Sequence, residues 1–120
     1  MEKYSLYTAI IDQVKTGSIT LRDNINNYDD IMIIYGLPHN QTNNRKFNSV
    51  TISRDFFVNN YPYVANPTYN TPHLQLTFAD GATALRLLYS ANRELYAYDS
   101  YGSVFIKEII GYKYDESEAE

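Results

Sequence analysis

The 120-residue chain has no cysteine, no tryptophan, only five glycines and four prolines, and no excess of basic residues. Without cysteine there are no disulfide staples and no thiolate metal sites, although this absence does not fix a compartment. The formal net charge of -4 leaves Lys and Arg scattered rather than gathered into a stripe that could track a phosphate backbone, so nucleic acid is not an expected partner. No apolar run approaches the roughly 18 residues of a membrane span, and the N-terminus lacks the charged start, apolar block and cleavage site of a signal peptide. Membrane insertion is therefore not expected.

What the chain has in abundance is tyrosine, 13 residues in all, most of them beside Asn, Asp, Ser or Pro. Tyr offers a large, rigid, amphipathic contact at little entropic cost, and neighbouring Asn and Ser supply adaptable hydrogen bonds. This is the composition of a recognition surface; catalysis needs a different one.

The length suits one domain that buries roughly two-thirds of the surface its unfolded chain exposes. Apolar alternation begins at Tyr4-Ser5-Leu6-Tyr7-Thr8-Ala9-Ile10-Ile11 with nothing ahead of it, which suggests the C-terminal piece of a longer protein. Gly17-Ser18-Ile19-Thr20-Leu21 reads as a second strand, and the Asn- and Asp-rich residues 22–29 as a turn. Ile31-Met32-Ile33-Ile34-Tyr35 follows, uniformly apolar, as a strand buried on both faces. After a polar loop over 38–46, Phe47 to Ser53 alternates imperfectly and predicts a strand. Residues 58–72 lack apolar periodicity and contain Pro62, Pro67 and Pro72, which cannot donate to a ladder, so they predict a long loop of functional interest. Leu74, Leu76 and Phe78 alternate with polar residues, and Asp80-Gly81 supplies a hairpin turn into the strand 83–89. Segments 94–98 and 103–112 complete the set, the last expected to be central.

About eight short strands, with helical content minor, predict an all-β fold: an antiparallel β-sandwich that is jelly-roll-like. Its expected extent is residues 1–114. Residues 115–120 carry four carboxylates and no apolar anchor, the pattern of an extended, disordered acidic tail.

Three segments in order carry a family resemblance: Ser18-Ile19-Thr20-Leu21, then Asn27-Tyr28-Asp29-Asp30-Ile31-Met32-Ile33, then Ile106-Lys107-Glu108-Ile109-Ile110-Gly111-Tyr112-Lys113. Together they resemble the C-terminal domains of tail-fibre or receptor-binding proteins of tailed bacteriophages, over a span from Gly17 to Lys113. The resemblance implies a β-sandwich head at the fibre tip of the virion, commonly a homotrimer, acting outside the cell to attach the virion to a host surface polysaccharide or protein. Residues 38–72 match nothing in that pattern, which makes them the place where receptor specificity would vary. No catalytic residue carries over.

Two aromatic clusters are candidate ligand-binding sites. The denser holds Tyr61, Tyr63 and Tyr69 with Asn59, Asn60, Asn66 and Asn70, rings able to stack on a sugar and amides able to bridge its hydroxyls. The same tyrosines would equally pin a long loop to the sandwich or fill a subunit interface. The second holds Tyr96, Tyr98, Asp99 and Tyr101, with Tyr96 and Tyr98 on one strand face, where cross-strand packing competes with ligand contact. Asp29, Asp30, Asp80, Glu94 and Asp99 could in principle supply the two carboxylates of a glycosidase, but most sit in turn contexts that account for them. No enzyme activity, cofactor or metal is expected: His39 and His73 have no neighbouring ligand at metal spacing. Asn40-Gln41-Thr42 matches the N-glycosylation acceptor pattern, which matters only for secretion through a eukaryotic pathway and would be chance in the viral protein that the resemblance implies, and Arg45-Lys46 reads as a solvated basic pair. Two other readings remain open: a structural connector or baseplate module that binds another virion protein, and a carbohydrate-binding module or glycosidase fragment.

Overall fold

A computed structural model describes residues 2–8, 17–36, 47–68, 70–77, 83–100 and 105–114, with the backbone alone for 83, 84 and 98–100. Eight strands form: β1 (Glu2–Thr8), β2 (Gly17–Thr20), β3 (Asp30–Gly36), β4 (Phe47–Ser53), β5 (Leu74–Thr77), β6 (Thr83–Ala91), β7 (Glu94–Ser100) and β8 (Phe105–Lys113). They make two antiparallel four-stranded sheets, ordered β1-β8-β3-β4 and β2-β7-β6-β5. The chain's outer strands nest, β1 with β8 and β2 with β7, as a long hairpin does when it rolls into a sandwich. Further in, β3 pairs with its successor β4, and β5, β6 and β7 pair in sequence. The last strand is central, between β1 and β3, as its apolar content predicts.

Alternation decides what each strand buries. Leu6, Ile19, Ile31, Ile33, Leu76, Leu85, Leu87, Leu95, Ala97, Ile106 and Ile109 come from both sheets and close into one apolar cluster. Residues Met32 and Ile34 correct the expectation that β3 is buried on both faces: they point away from this cluster and are only half-buried, while Ile31, Ile33 and Tyr35 point in. Five apolar residues in a row hide an ordinary one-faced alternation.

Two side-chain clusters tie the architecture together. Tyr35, on β3, donates its hydroxyl hydrogen to the Thr77 carbonyl of the other sheet. The same oxygen accepts from Thr77 N (3.1 Å) and Asn48 Nδ2 (3.1 Å), and Asn48 Nδ2 also reaches Thr77 O (3.0 Å). Removing that hydroxyl as Tyr35→Phe leaves the half-buried Thr77 amide without its acceptor and the Thr77 carbonyl without the Tyr35 donor, though Asn48 still reaches that carbonyl. The expected cost is about 1–3 kcal/mol in a denaturant titration with an unchanged m-value.

At the opposite end of β3, the Tyr28 ring lies directly on Gly111 of β8, so close that a Cβ there would stand 2.6 Å from two ring carbons. Lys113 Nζ sits 5.3 Å over the same ring and 5.1 Å over that of Tyr4, and Asp29 N donates to Tyr112 O (2.7 Å). The Tyr28 hydroxyl donates to Asp23 Oδ2 (2.7 Å). That bond, helped by donors from Asn24 and Asn27, holds the Asp23 carboxyl below its ordinary range. Burial and the bond to Asp23 push the Tyr28 phenol up to about 12.

One helix, α1 (Arg54–Asn60), corrects the expected loop over 58–72, whose first three residues are helical. Ser53 caps it by accepting from Phe56 N (3.4 Å), and Asp55 adds favourable charge to the first turn. Its one buried residue, Phe57, meets Tyr61 and Tyr89 edge-on with centroids 6.1 and 6.4 Å away. The Asp80-Gly81 turn, Phe78, Ala9 to Ile11 and the acidic tail lie outside the described residues.

Candidate functional site

After α1 the chain does not leave the sandwich. β5 covers the edge of β6 only as far as Leu87, and residues 61–63 take the next stretch of that edge. Tyr89 N donates to Tyr61 O (2.7 Å) and Tyr63 N to Tyr89 O (2.7 Å). Pro62, between them, makes the parallel bridge to Tyr89. A proline fits there because both bonds use its neighbours and none needs the amide it lacks. This short addition fixes where the Tyr63 side chain emerges.

Tyr63 emerges over the outer face of the second sheet and meets Tyr96 of β7, with ring centroids 4.9 Å apart and planes at 56°. Cross-strand register defines what surrounds the pair. Tyr96 lies opposite Ser18 on β2 and Leu88 on β6, and Glu94 lies opposite Thr20. Ser90 donates to Glu94 Oε2 (2.9 Å), holding that carboxylate on the face it shares with Tyr96. Leu88 is fully buried although it belongs to this outer side and not to the central cluster. On the same face Arg86 lies between Gln75 and Asp99 in the register and is buried as well.

The two rings, like those of Tyr7 and Tyr61, differ from six other tyrosines among the described residues in one respect. Tyr4, Tyr28, Tyr35, Tyr89, Tyr112 and Tyr114 each donate their hydroxyl to a protein group. Among the described residues, the hydroxyls of Tyr63 and Tyr96 make no such bond, and Tyr63 is 41% exposed. Two tilted apolar ring faces with free hydroxyls, beside a carboxylate and the hydroxyls of Ser18 and Thr20, can receive the apolar face of a pyranose and bond the hydroxyls at its rim.

The other candidates divide around this pair. Tyr61 turns the other way: its ring packs edge-on against Phe56 and Phe57 and against the central cluster, so it anchors the segment. Asn59 and Asn60 are exposed at the end of α1, Asn60 bonding back to Phe56 O (2.9 Å). Asn66 and Asn70 are exposed further along, where Asn70 N donates to Thr68 Oγ1 (3.2 Å). Tyr69 and Tyr101 lie outside the described residues, as do the side chains of Tyr98 and Asp99. So the structure brings together Tyr63 from one predicted cluster and Tyr96 from the other. Reading the sequence missed Glu94, Ser90, Ser18 and Thr20 as neighbours, although alternation along β7 puts Glu94 on the Tyr96 face.

Of the carboxylates considered for catalysis, Asp29 accepts from Tyr114 N (2.8 Å), Asp30 accepts from the Tyr114 hydroxyl, and both belong to the β3 end of the first sheet. Glu94 stands on the other sheet, and Asp80 lies outside the described residues. His73 Nδ1 donates to Thr71 O (2.7 Å) and closes a turn. Among the described residues no group of three His, Asp or Glu side chains is placed to hold a metal, and no helix is long and apolar enough to cross a membrane. His39, Asn40 and Arg45-Lys46 lie outside the described residues. No family model matches the chain, and neither the curated proteins nor the solved structures give a match.

Proposed function

We propose that this chain is a non-enzymatic receptor-binding head of a bacteriophage tail fibre, which attaches the virion to a host cell-surface glycan through the Tyr63–Tyr96 face. The observation that carries the glycan reading is the ring pair, Tyr63 exposed and Tyr96 half-buried, whose hydroxyls bond no protein group among the described residues. The phage reading rests on the resemblance, and its three segments map onto β2, the entry to β3, and β8. Their apolar residues Ile19, Leu21, Tyr28, Ile31, Ile33, Ile106 and Ile109 belong to the central cluster. The resemblance therefore speaks to the sandwich, and the ring pair to the ligand.

Chemistry narrows the ligand. Glu94 flanks the platform and the chain is net acidic, so phosphate- or carboxylate-bearing polymers meet repulsion while neutral and amino sugars do not. A single open site of this kind binds weakly; several linked copies raise avidity by about 10²- to 10⁴-fold with no new contact.

The test is an array carrying neutral, amino-sugar and acidic bacterial polysaccharides, probed with the wild type, Tyr63→Ala and Tyr96→Phe. Wild type is expected on neutral or amino-sugar spots. Tyr63→Ala keeps its backbone bonds to Tyr89 and should lose about tenfold in affinity, ~1.4 kcal/mol, with the melting transition within a few degrees of wild type. Tyr96→Phe should lose less, by the worth of one hydroxyl bond. Unchanged binding by Tyr63→Ala would remove the platform from the account. Wild type binding another virion protein and no glycan would favour the connector reading.

A further inference from the structure

Tilted tyrosine pairs stand at both sheets. At the first, Tyr4 and Tyr28 have ring centroids 5.6 Å apart and planes at 57°; on the second, Tyr63 and Tyr96 are 4.9 Å apart at 56°. The first pair holds a cation. Lys113 Nζ lies 5.1 Å from the Tyr4 centroid and 5.3 Å from that of Tyr28, where the negative faces of both rings attract it. A carboxylate completes the set: Asp23 accepts from the Tyr28 hydroxyl (2.7 Å) and is close enough to feel the charge of Lys113.

The second pair has the same parts except the cation. Among the described residues no Lys or Arg stands over Tyr63 or Tyr96. Glu94 lies two residues from Tyr96 on the same face of β7, about 7 Å along the strand. Its half-buried carboxylate accepts from Ser90 (2.9 Å) and makes no ion pair among the described residues. The neighbouring cations are turned elsewhere. Arg93 donates to the carbonyls of Leu21 (3.4 Å) and Arg22 (2.8 Å), and Arg86 lies on the far side of Leu88 from Glu94, opposite Asp99 in the register. One ring pair is satisfied by the chain's own lysine; the other faces solvent, with Tyr63 41% exposed.

We propose that the Tyr63–Tyr96 face takes an organic ammonium group carried by the glycan, the cation over the two rings and Glu94 beside it. This deepens the glycan reading of that face and rests on it. A ring face attracts a sugar's C–H surface and a cation alike, so a sugar with a protonated amine gains stacking and charge attraction at one place. Acetylating the amine keeps the sugar and removes the charge. A quaternary ammonium substituent on the polymer offers the same cation, so the shared chemistry is the ammonium group, whichever part of the polymer carries it.

The test is calorimetric titration of the full chain at mildly acidic pH, with glucosamine oligomers, N-acetylglucosamine oligomers of the same length, and choline against its uncharged carbon isostere. Wild type should bind the free-amine oligomer about tenfold more tightly than the acetylated one. Glu94→Gln should weaken the free-amine oligomer about fivefold and leave the acetylated one unchanged, while Tyr63→Ala weakens both. Glu108→Gln removes a carboxylate from the first sheet and should change neither. Choline bound in preference to its isostere, with no response to the free-amine oligomer, upholds the ammonium site and assigns the cation to a substituent. Equal binding of the two oligomers with choline inert overturns the ammonium site and leaves the glycan face standing. No binding of either oligomer or of choline overturns both. A loss in Glu108→Gln as large as that in Glu94→Gln also overturns the proposal, because net charge alone then attracts the amine.

Discussion

Replacing Gly111 with alanine is expected to destabilise the domain by about 2–3 kcal/mol, lowering Tm by roughly 10 °C. The reason is spatial. An added Cβ stands 2.6 Å from two carbons of the Tyr28 ring and 3.1 Å from Leu6 Cδ1, and neither neighbour can withdraw cheaply. The ring is fixed by its hydroxyl bond to Asp23 and by Lys113 above it, while Leu6 belongs to the core. A larger residue, as in Gly111→Val, should cost more and lower the yield of folded protein. The mechanism has its own check. In a Tyr28→Ala background the clash is gone, so Gly111→Ala should cost far less there than alone, a coupling of 1 kcal/mol or more in a double-mutant cycle. If the two substitutions simply add, the ring is not what excludes the methyl.

Phe57→Ala carries a large expected loss, about 3–5 kcal/mol. Phe57 is fully buried, the only buried residue of α1, and the ring against which Tyr61 and Tyr89 both pack. Without it the helix keeps only the half-buried Val58 against the core and the Arg54 bond to Tyr28 O, and seven residues are far below the length at which a helix persists on propensity alone. The loss should spread along the chain. Tyr61 and Tyr63 are placed by backbone bonds to Tyr89, directly after the helix, so amide exchange at Tyr63 and Tyr89 should accelerate beyond what global unfolding explains. Thermal melting gives the first effect and hydrogen exchange the second. A loss under about 1 kcal/mol would mean that Val58, Tyr61 and the backbone bonds to Tyr89 hold the segment without the Phe57 ring.

How much of this was legible beforehand follows from which signals are local. Strand alternation is, and all eight strands stand where apolar periodicity and turn residues put them, with ends shifted by a few residues. The helix was not, for a physical reason: with one buried residue, α1 cannot display a 3.6-residue stripe. Its signal was chemical instead, Ser53 as N-cap followed by Asp55 in the first turn. The uniform run of β3 misled in the opposite direction, because Met32 and Ile34 are apolar yet point outward.

The candidate site shows the same divide. That Tyr63 and Tyr96 each lie in an aromatic-polar cluster is visible in the sequence; that they face one another is not. The meeting depends on residues 61–63 taking a vacant stretch of the β6 edge, a long-range pairing with no local signature. The three segments of the family resemblance behave likewise. The segment holding Tyr28 and the one holding Gly111 and Lys113 read as separate strands, yet ring, glycine and ammonium pack as one unit.

The most direct measurement is a titration of isotope-labelled domain with a neutral or amino-sugar oligosaccharide, following the tyrosine ring resonances. The account predicts shifts at Tyr63 and Tyr96 and at the amides of Ser18, Thr20 and Glu94, while Tyr28 and Tyr35, whose hydroxyls are committed, stay still. Binding that moves other residues, such as Met32, Ile34 and Ser49, which line a groove on the first sheet, and leaves Tyr63 and Tyr96 unshifted would contradict it.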